Sequence, residues 1–143
     1  MPVFEKLRQK RFLGLYLAPF LLYCWLIFYL SSRSDLASIT PFAVPDKIAH
    51  LLEYSGFGFL LMRLLRYQES DADYVKHLFW VLTAAFIYGL SDESHQLYVP
   101  NREFSWMDML ADGAGAYFGA RIWMIAAKKL VRRNVNPNSE AIK

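Results

Sequence analysis

The sequence predicts an all-α polytopic membrane protein, a bundle of four transmembrane helices with both termini in the cytoplasm. Three observations lead there. Hydrophobic residues make up 55% of the 143 residues and aromatics 17%, above the roughly 45–50% apolar share of an ordinary globular domain, and the mean hydropathy is +0.17. The apolar residues gather into runs close to the ~20 that a helix needs to cross a hydrocarbon core. The basic residues flank those runs on alternate sides.

The first span is Phe12 to Leu30, FLGLYLAPFLLYCWLIFYL, which carries no charge. It follows the basic stretch MPVFEKLRQKR. The apolar run exceeds the ~7–15 residues of a signal-peptide core and no small-x-small cleavage site follows, so it reads as an uncleaved anchor. Pro19 is expected to kink it, which membrane helices tolerate. Cys24, the one cysteine, lies inside this run and is expected to pack as a small apolar side chain. The second span begins at Pro45-Asp46, with Asp46 as N-cap, and runs as DKIAHLLEYSGFGFLLMRLLRY to Tyr67. Gln68 to Lys76 is a polar connection. The third apolar run, Leu78 to Leu90, is too short to cross at about 1.5 Å per residue. To span, that helix must continue through Ser91, Asp92, Glu93, His95 and Gln96 and end before Pro100. The fourth span fits Met107 to Ala127, followed by the basic KKLVRR and the polar NVNPNSEAIK, expected to be disordered. The chain thus divides into a cytoplasmic basic N-terminus (1–11), a four-helix transmembrane domain (12–127) and a cytoplasmic basic tail (128–143).

Orientation follows from the cations. Lys6, Arg8, Lys10 and Arg11 precede the first span, Arg63, Arg66 and Lys76 surround the second loop, and Lys128, Lys129, Arg132 and Arg133 follow the fourth span. The other two loops carry Arg33, Lys47 and Arg102. The positive-inside rule places the first set in the cytoplasm and the second outside. The formal charge of +3 and pI near 9.0 come from these flanking clusters. No basic face interleaved with aromatics suggests a nucleic-acid partner; membrane lipids are the expected neighbours, and the oligomeric state is open.

Ionisable residues then concentrate at the outer ends of spans two to four. Asp46, His50 and Tyr54 share a helical stripe; Asp92 and His95 are i, i+3 neighbours, as are Glu93 and Gln96; Asp108 and Asp112 are one turn apart. A charge at helix centre costs about 2.5–3.5 kcal/mol on the insertion scale, so three helices bringing polar groups to one depth mark a site. Each piece also has a plainer role: Asp46 as a cap, Lys47 at the headgroups, His50 bonding a neighbouring helix, and Arg102 in an ion pair with Asp92, Glu93 or Asp108 instead of with a ligand phosphate. Gly56 and Gly58, with Ala111, Gly115 and Gly119, read as small faces that let helices approach. Arg121 is expected to reach the cytoplasmic headgroups.

The run from Asp46 to Leu60, followed after one more hydrophobic span by SDESHQLYVPNREFSWMDMLADGAGAYFG (Ser91 to Gly119), resembles the VanZ-like family of small bacterial membrane proteins. The family pattern is D-K-x-x-H with an aromatic four residues later, then E-x-x-Q, P-x-R, and D-x-x-x-N with glycines behind. Here it falls on Asp46, Lys47, His50, Tyr54, Glu93, Gln96, Pro100, Arg102, Asp108 and Asp112, with Gly115 and Gly119 following. The chain departs from it at Asp112, where many members carry Asn, which adds a carboxylate within the bundle. The resemblance implies a multi-pass protein of the bacterial inner membrane with an outward-facing role at the cell envelope, related to glycopeptide resistance through the family alone.

The leading expectation is a protein that binds or modulates a phosphate-bearing or lipid-linked envelope molecule. Lys47 and Arg102 would meet the anion, His50, Glu93 and Gln96 would orient it, and Asp46, Tyr54, Asp108 and Asp112 would complete the pocket. The first alternative is a small hydrolase or transferase with His50 and Glu93 as acid/base pair, although no Ser or Cys nucleophile motif is present. No cofactor is expected; a metal held by His50, Asp92 and His95 is the second alternative. In either case Glu93, at low dielectric, is expected to be protonated or paired with Arg102 or a charged His50.

Overall fold

The computed structural model describes residues 2–33, 46–69 and 73–135. Among these residues all the regular secondary structure is helix. α1 (Pro2–Arg11), a π-helical stretch (Phe12–Leu17) and α2 (Ala18–Ser31) form one rod; α3 covers Asp46–Gln68, α4 Tyr74–Gln96 and α5 Trp106–Val135. Pro45, the middle of the second connection, and the tail beyond Val135 lie outside the described residues.

The distortion expected at Pro19 takes the form of the π stretch just upstream, which closes with the Ala18 N–H on the Leu13 carbonyl, one residue wider than an α-turn. Proline has no N–H and its ring crowds the carbonyl four residues back, so a wide turn relieves both problems. α3 and α4 end within a residue or two of expectation, and α4 does run through the polar block to Gln96. Asp73 starts α4 as its N-cap, its carboxylate accepting from the Val75 N–H. α5 continues past Ala127, because the Lys and Arg that follow are good helix formers and the loss of hydropathy does not by itself end a helix.

α3 and α5 make the most extensive contact in the molecule, and the glycines explain it. A Cβ at Gly115 would strike the Leu51 carbonyl, one at Gly119 the Ser55 carbonyl, and one at Gly58 the Ala116 backbone. Two backbones therefore touch with no side chain between them. Around this pair Tyr54, Phe57, Met62, Val81 and Ala85 are fully buried, and Phe57 stacks on Tyr88 with centroids 5.4 Å apart. The first rod ties on through hydroxyls: Tyr88 donates to the Cys24 carbonyl at 2.6 Å and Tyr23 to the Glu53 carbonyl at 3.0 Å. Cys24 itself packs against the core.

Stacking fixes the two ends of the bundle. Tyr16 lies 4.1 Å from Tyr67 and the Arg121 guanidinium 5.9 Å from the Tyr74 ring, so the start of the first rod, the end of α3, the start of α4 and the later part of α5 share one end. At this end Lys76 bonds Glu69 at 2.7 Å and holds that carboxyl below its usual range. The Ser32–His95 bond of 3.0 Å puts the end of α2, the end of α4 and the start of α3 and α5 at the other. The exterior is apolar, with Leu22, Trp25, Leu52, Phe79, Ile87, Leu110 and Ile125 all exposed, while His50, Asp92, Glu93, Gln96, Asp108 and Asp112 are buried. That polarity is the reverse of a soluble domain. Val3–Ser31 and Asp46–Gln68 are long and apolar enough to cross a membrane by length and composition.

Candidate functional site

The second end of the bundle holds the polar residues in two layers. The inner layer is a line of side chains from three helices. His50 Nδ1 lies 2.9 Å from Asp112 Oδ1, and its Nε2 is 4.0 Å from Glu93 Oε1. With Asp112 ionised the carboxylate only accepts, so the bond would place a proton on Nδ1; in either case Nε2 is turned toward Glu93. The other Glu93 oxygen accepts the Ser105 N–H at 2.6 Å. Gln96 donates to Asp92 Oδ2 at 3.3 Å. Glu93 is 0% and Asp112 1% exposed.

The outer layer consists of two ion pairs. Lys47 Nζ lies 3.4 Å from Asp108 Oδ1 and Arg102 Nη1 donates to Asp46 Oδ1 at 2.7 Å. Lys47 is well exposed and Asp108 buried; Arg102 and Asp46 lie at the rim. The sequence offered Asp92, Glu93 and Asp108 as partners for Arg102. Its partner is instead Asp46, and the turn explains why. Arg102 N–H bonds the Val99 carbonyl at 3.2 Å across Pro100 and Asn101, and Asn101 has φ of 62°. Proline followed by a residue of positive φ is the pattern of a type II turn, a conformation Asn tolerates. This turn carries Arg102 back over the start of α3. Likewise Glu93 pairs with a backbone amide and faces His50, not Arg102, and the Asp46 carboxylate turns to Arg102.

Two residues missing from the sequence-derived site belong to it. Ser105 is the N-cap of α5, its hydroxyl accepting the Asp108 N–H at 3.3 Å. In a capping box the third helical residue would return to the cap's own N–H. Here Glu93 occupies that N–H, which leaves Asp108 free for Lys47. The S-x-x-D spacing from Ser105 to Asp108 is the signal in the sequence. Gly89 is the second: a Cβ there would lie 2.7 Å from Asp112 Oδ2 and 3.5 Å from the Tyr54 hydroxyl, so glycine is what gives the Asp112 carboxylate room. Tyr54 is fully buried one turn beyond His50, with its hydroxyl at this same spot.

His95 does not join the group. Its Nε2 is bonded to Ser32 and its ring packs on Phe28 with centroids 4.6 Å apart. The alternative metal set of His50, Asp92 and His95 is therefore corrected: the atoms that converge are those of His50, Asp92 and Glu93. Three residues along the helix from Asp92 is nearly a full turn, yet the small angular offset is enough to aim His95 at the first rod.

The arrangement supplies an oriented imidazole, carboxylate oxygens with no hydrogen-bond partner among the described residues, and two cations at the mouth. Neither a curated protein nor a solved structure matches the chain. The VanZ/LLP1 family does match, over residues 14–127, a range that contains α3, α4, the Pro100–Arg102 turn and the site-bearing first part of α5. With the D-K-x-x-H, E-x-x-Q, P-x-R and D-x-x-x-D residues of that range gathered at one end of the bundle, this chain belongs to the VanZ/LLP1 family.

Proposed function

We propose that the protein is a four-span bacterial inner-membrane protein with both termini in the cytoplasm, whose outward-facing site binds a phosphate-bearing or lipid-linked cell-envelope molecule. The observation that carries this reading is the inverted polarity: a buried acid–histidine cluster at one end of an apolar-faced bundle, with Lys47 and Arg102 at its opening. Lipid would solvate the exposed Leu, Phe and Trp side chains, while buried carboxylates at membrane depth mark a functional site. Arg102 presents a planar fork and Lys47 a mobile point charge, the two usual ways of meeting a phosphate. A ligand anion would displace or bridge their present carboxylate partners. The opposite end carries the Lys and Arg clusters, in keeping with the positive-inside rule. The division into three segments follows from the same reading: basic ends at 1–11 and 128–143 around a membrane domain at 12–127.

The Asp112–His50 bond favours a second reading of the same site, a hydrolase or transferase in which His50 and Glu93 exchange a proton with the substrate. An aspartate that fixes the histidine tautomer leaves Nε2 free to act as base. Native mass spectrometry of the purified protein with polyprenyl phosphate and polyprenyl diphosphate tests both. An adduct that weakens at least tenfold in Arg102→Ala and Lys47→Ala supports binding, and appearance of the dephosphorylated lipid in the same spectra supports turnover. No adduct with either lipid would remove the proposed ligand class.

A further inference from the structure

The inner layer of the site has the wrong charge for a phosphate alone. Asp92, Glu93 and Asp112 surround a single histidine, and the two cations at the mouth already face Asp108 and Asp46. We infer that His50, Asp92 and Glu93 hold a divalent transition-metal cation, with zinc or manganese the best match. The inference deepens the proposed function, since such an ion would bridge the protein carboxylates to a ligand phosphate, and it rests on that reading only for the bridging role.

The geometry supports the site at each ligand. His50 Nε2 and Glu93 Oε1 are 4.0 Å apart, too far to hydrogen-bond. Two atoms bound to one tetrahedral zinc at about 2.0–2.2 Å lie roughly 3.3–3.6 Å apart, so an ion would draw this pair together by about half an ångström. One donor atom from each of His50, Asp92 and Glu93 lies within 4.8 Å of the others, and all three residues are buried. Glu93 Oε1 is buried without a hydrogen-bond partner among the described residues, at a residue 0% exposed, and Asp92, 5% exposed, has the Ser31 hydroxyl beside its carboxylate but no hydrogen bond of good geometry on Oδ1. Unpaired buried carboxylate oxygens are costly, and a cation is the simplest group that satisfies both.

The outer shell is also in place. Asp112 holds His50 Nδ1, Gln96 holds Asp92 Oδ2, and the Ser105 N–H holds Glu93 Oε2, so each ligand is oriented through the atom it does not offer. A carboxylate on the far nitrogen of a ligating histidine is the usual companion of a protein metal site. Imidazole with two carboxylates suits zinc or manganese better than calcium or magnesium, which prefer all-oxygen shells. A second grouping, Asp46 with His50 and Asp108, fits less well, because Asp46 is exposed and bonded to Arg102 and Asp108 faces Lys47.

The test is metal content of detergent-purified protein, stripped with EDTA and dialysed against zinc or manganese chloride. About one equivalent is expected in the wild type and in a Glu103→Gln control, falling at least tenfold in His50→Ala, Glu93→Gln and Asp92→Asn that keep wild-type helicity and a monodisperse elution. Cobalt(II) added to the wild type should give a visible d–d spectrum that zinc abolishes, a readout independent of whether any variant folds. Less than about a tenth of an equivalent, no cobalt spectrum, or folded variants that keep their metal would overturn the site. Repeating the polyprenyl phosphate measurement with and without EDTA separates the two proposals. One equivalent of metal with no lipid adduct sustains the metal site and removes the phosphate ligand; an adduct undiminished in metal-free protein sustains the phosphate ligand and removes the bridging role of the ion.

Discussion

Replacing Gly119 by leucine is expected to abolish the folded protein. The Cβ alone would overlap the Ser55 carbonyl of α3, and a backbone atom cannot turn aside as a side chain does. The two helices would have to separate along their whole contact, the largest in the molecule, and Asp112 on α5 would be drawn away from His50 on α3. Overpacking against side chains costs about 1–3 kcal/mol. Against backbone, with three further carbons to place, the cost should exceed that range and approach the ~5–15 kcal/mol that holds an ordinary protein together. Gly113 provides the control: a Cβ there meets nothing within 4 Å, so Gly113→Ala should be neutral or stabilise by roughly 0.5–1 kcal/mol through helix propensity. Detergent size-exclusion profiles and thermal unfolding of the two variants check this. A Gly119→Leu protein that elutes and melts like the wild type would contradict the close α3–α5 contact.

The second large effect lies in the buried pair His50–Asp112. His50→Ala leaves the Asp112 carboxylate buried beside Gly89 with no imidazole, and Asp112→Ala leaves the imidazole facing Glu93 with its orienting partner gone. Breaking a buried pair from one side costs about 3–5 kcal/mol. The double variant removes both polar groups together, so it should fall well short of the sum, with a coupling of roughly 0.5–3 kcal/mol. Asp112→Asn should be milder than Asp112→Ala, because the amide oxygen still accepts from Nδ1. Unfolding free energies in one detergent measure the cycle. Strictly additive losses would mean the two side chains do not interact as a unit.

The helices were legible because their signals are local. The third span could be extended through Asp92 and Glu93 on length alone, since thirteen apolar residues do not reach across, and α4 does end at Gln96. The glycine ladder on α5 was readable as a packing face for the same reason, its period being helical. The site residues were readable as residues but not as pairs. That Asp112 meets His50, and that Arg102 meets Asp46, depends on which helices are neighbours and how each is rotated, and no spacing within one helix encodes either. Ser105 and Gly89 carried weaker signals: a cap motif and a mid-helix glycine each have common structural uses that do not distinguish a site. The π stretch before Pro19 was visible only as an expected distortion, because proline specifies the missing hydrogen bond but not how the preceding turns absorb it.

The claim on which the functional reading depends is that the acid–histidine end of the bundle faces outward. Single cysteines in a Cys24→Ser background, at Glu103 beside the Arg102 turn and at Glu69 at the opposite end, test it in intact cells with a membrane-impermeant maleimide. An outward-facing site predicts that position 103 labels at once and position 69 only after the cells are broken; labelling of 69 but not of 103 in intact cells would contradict it.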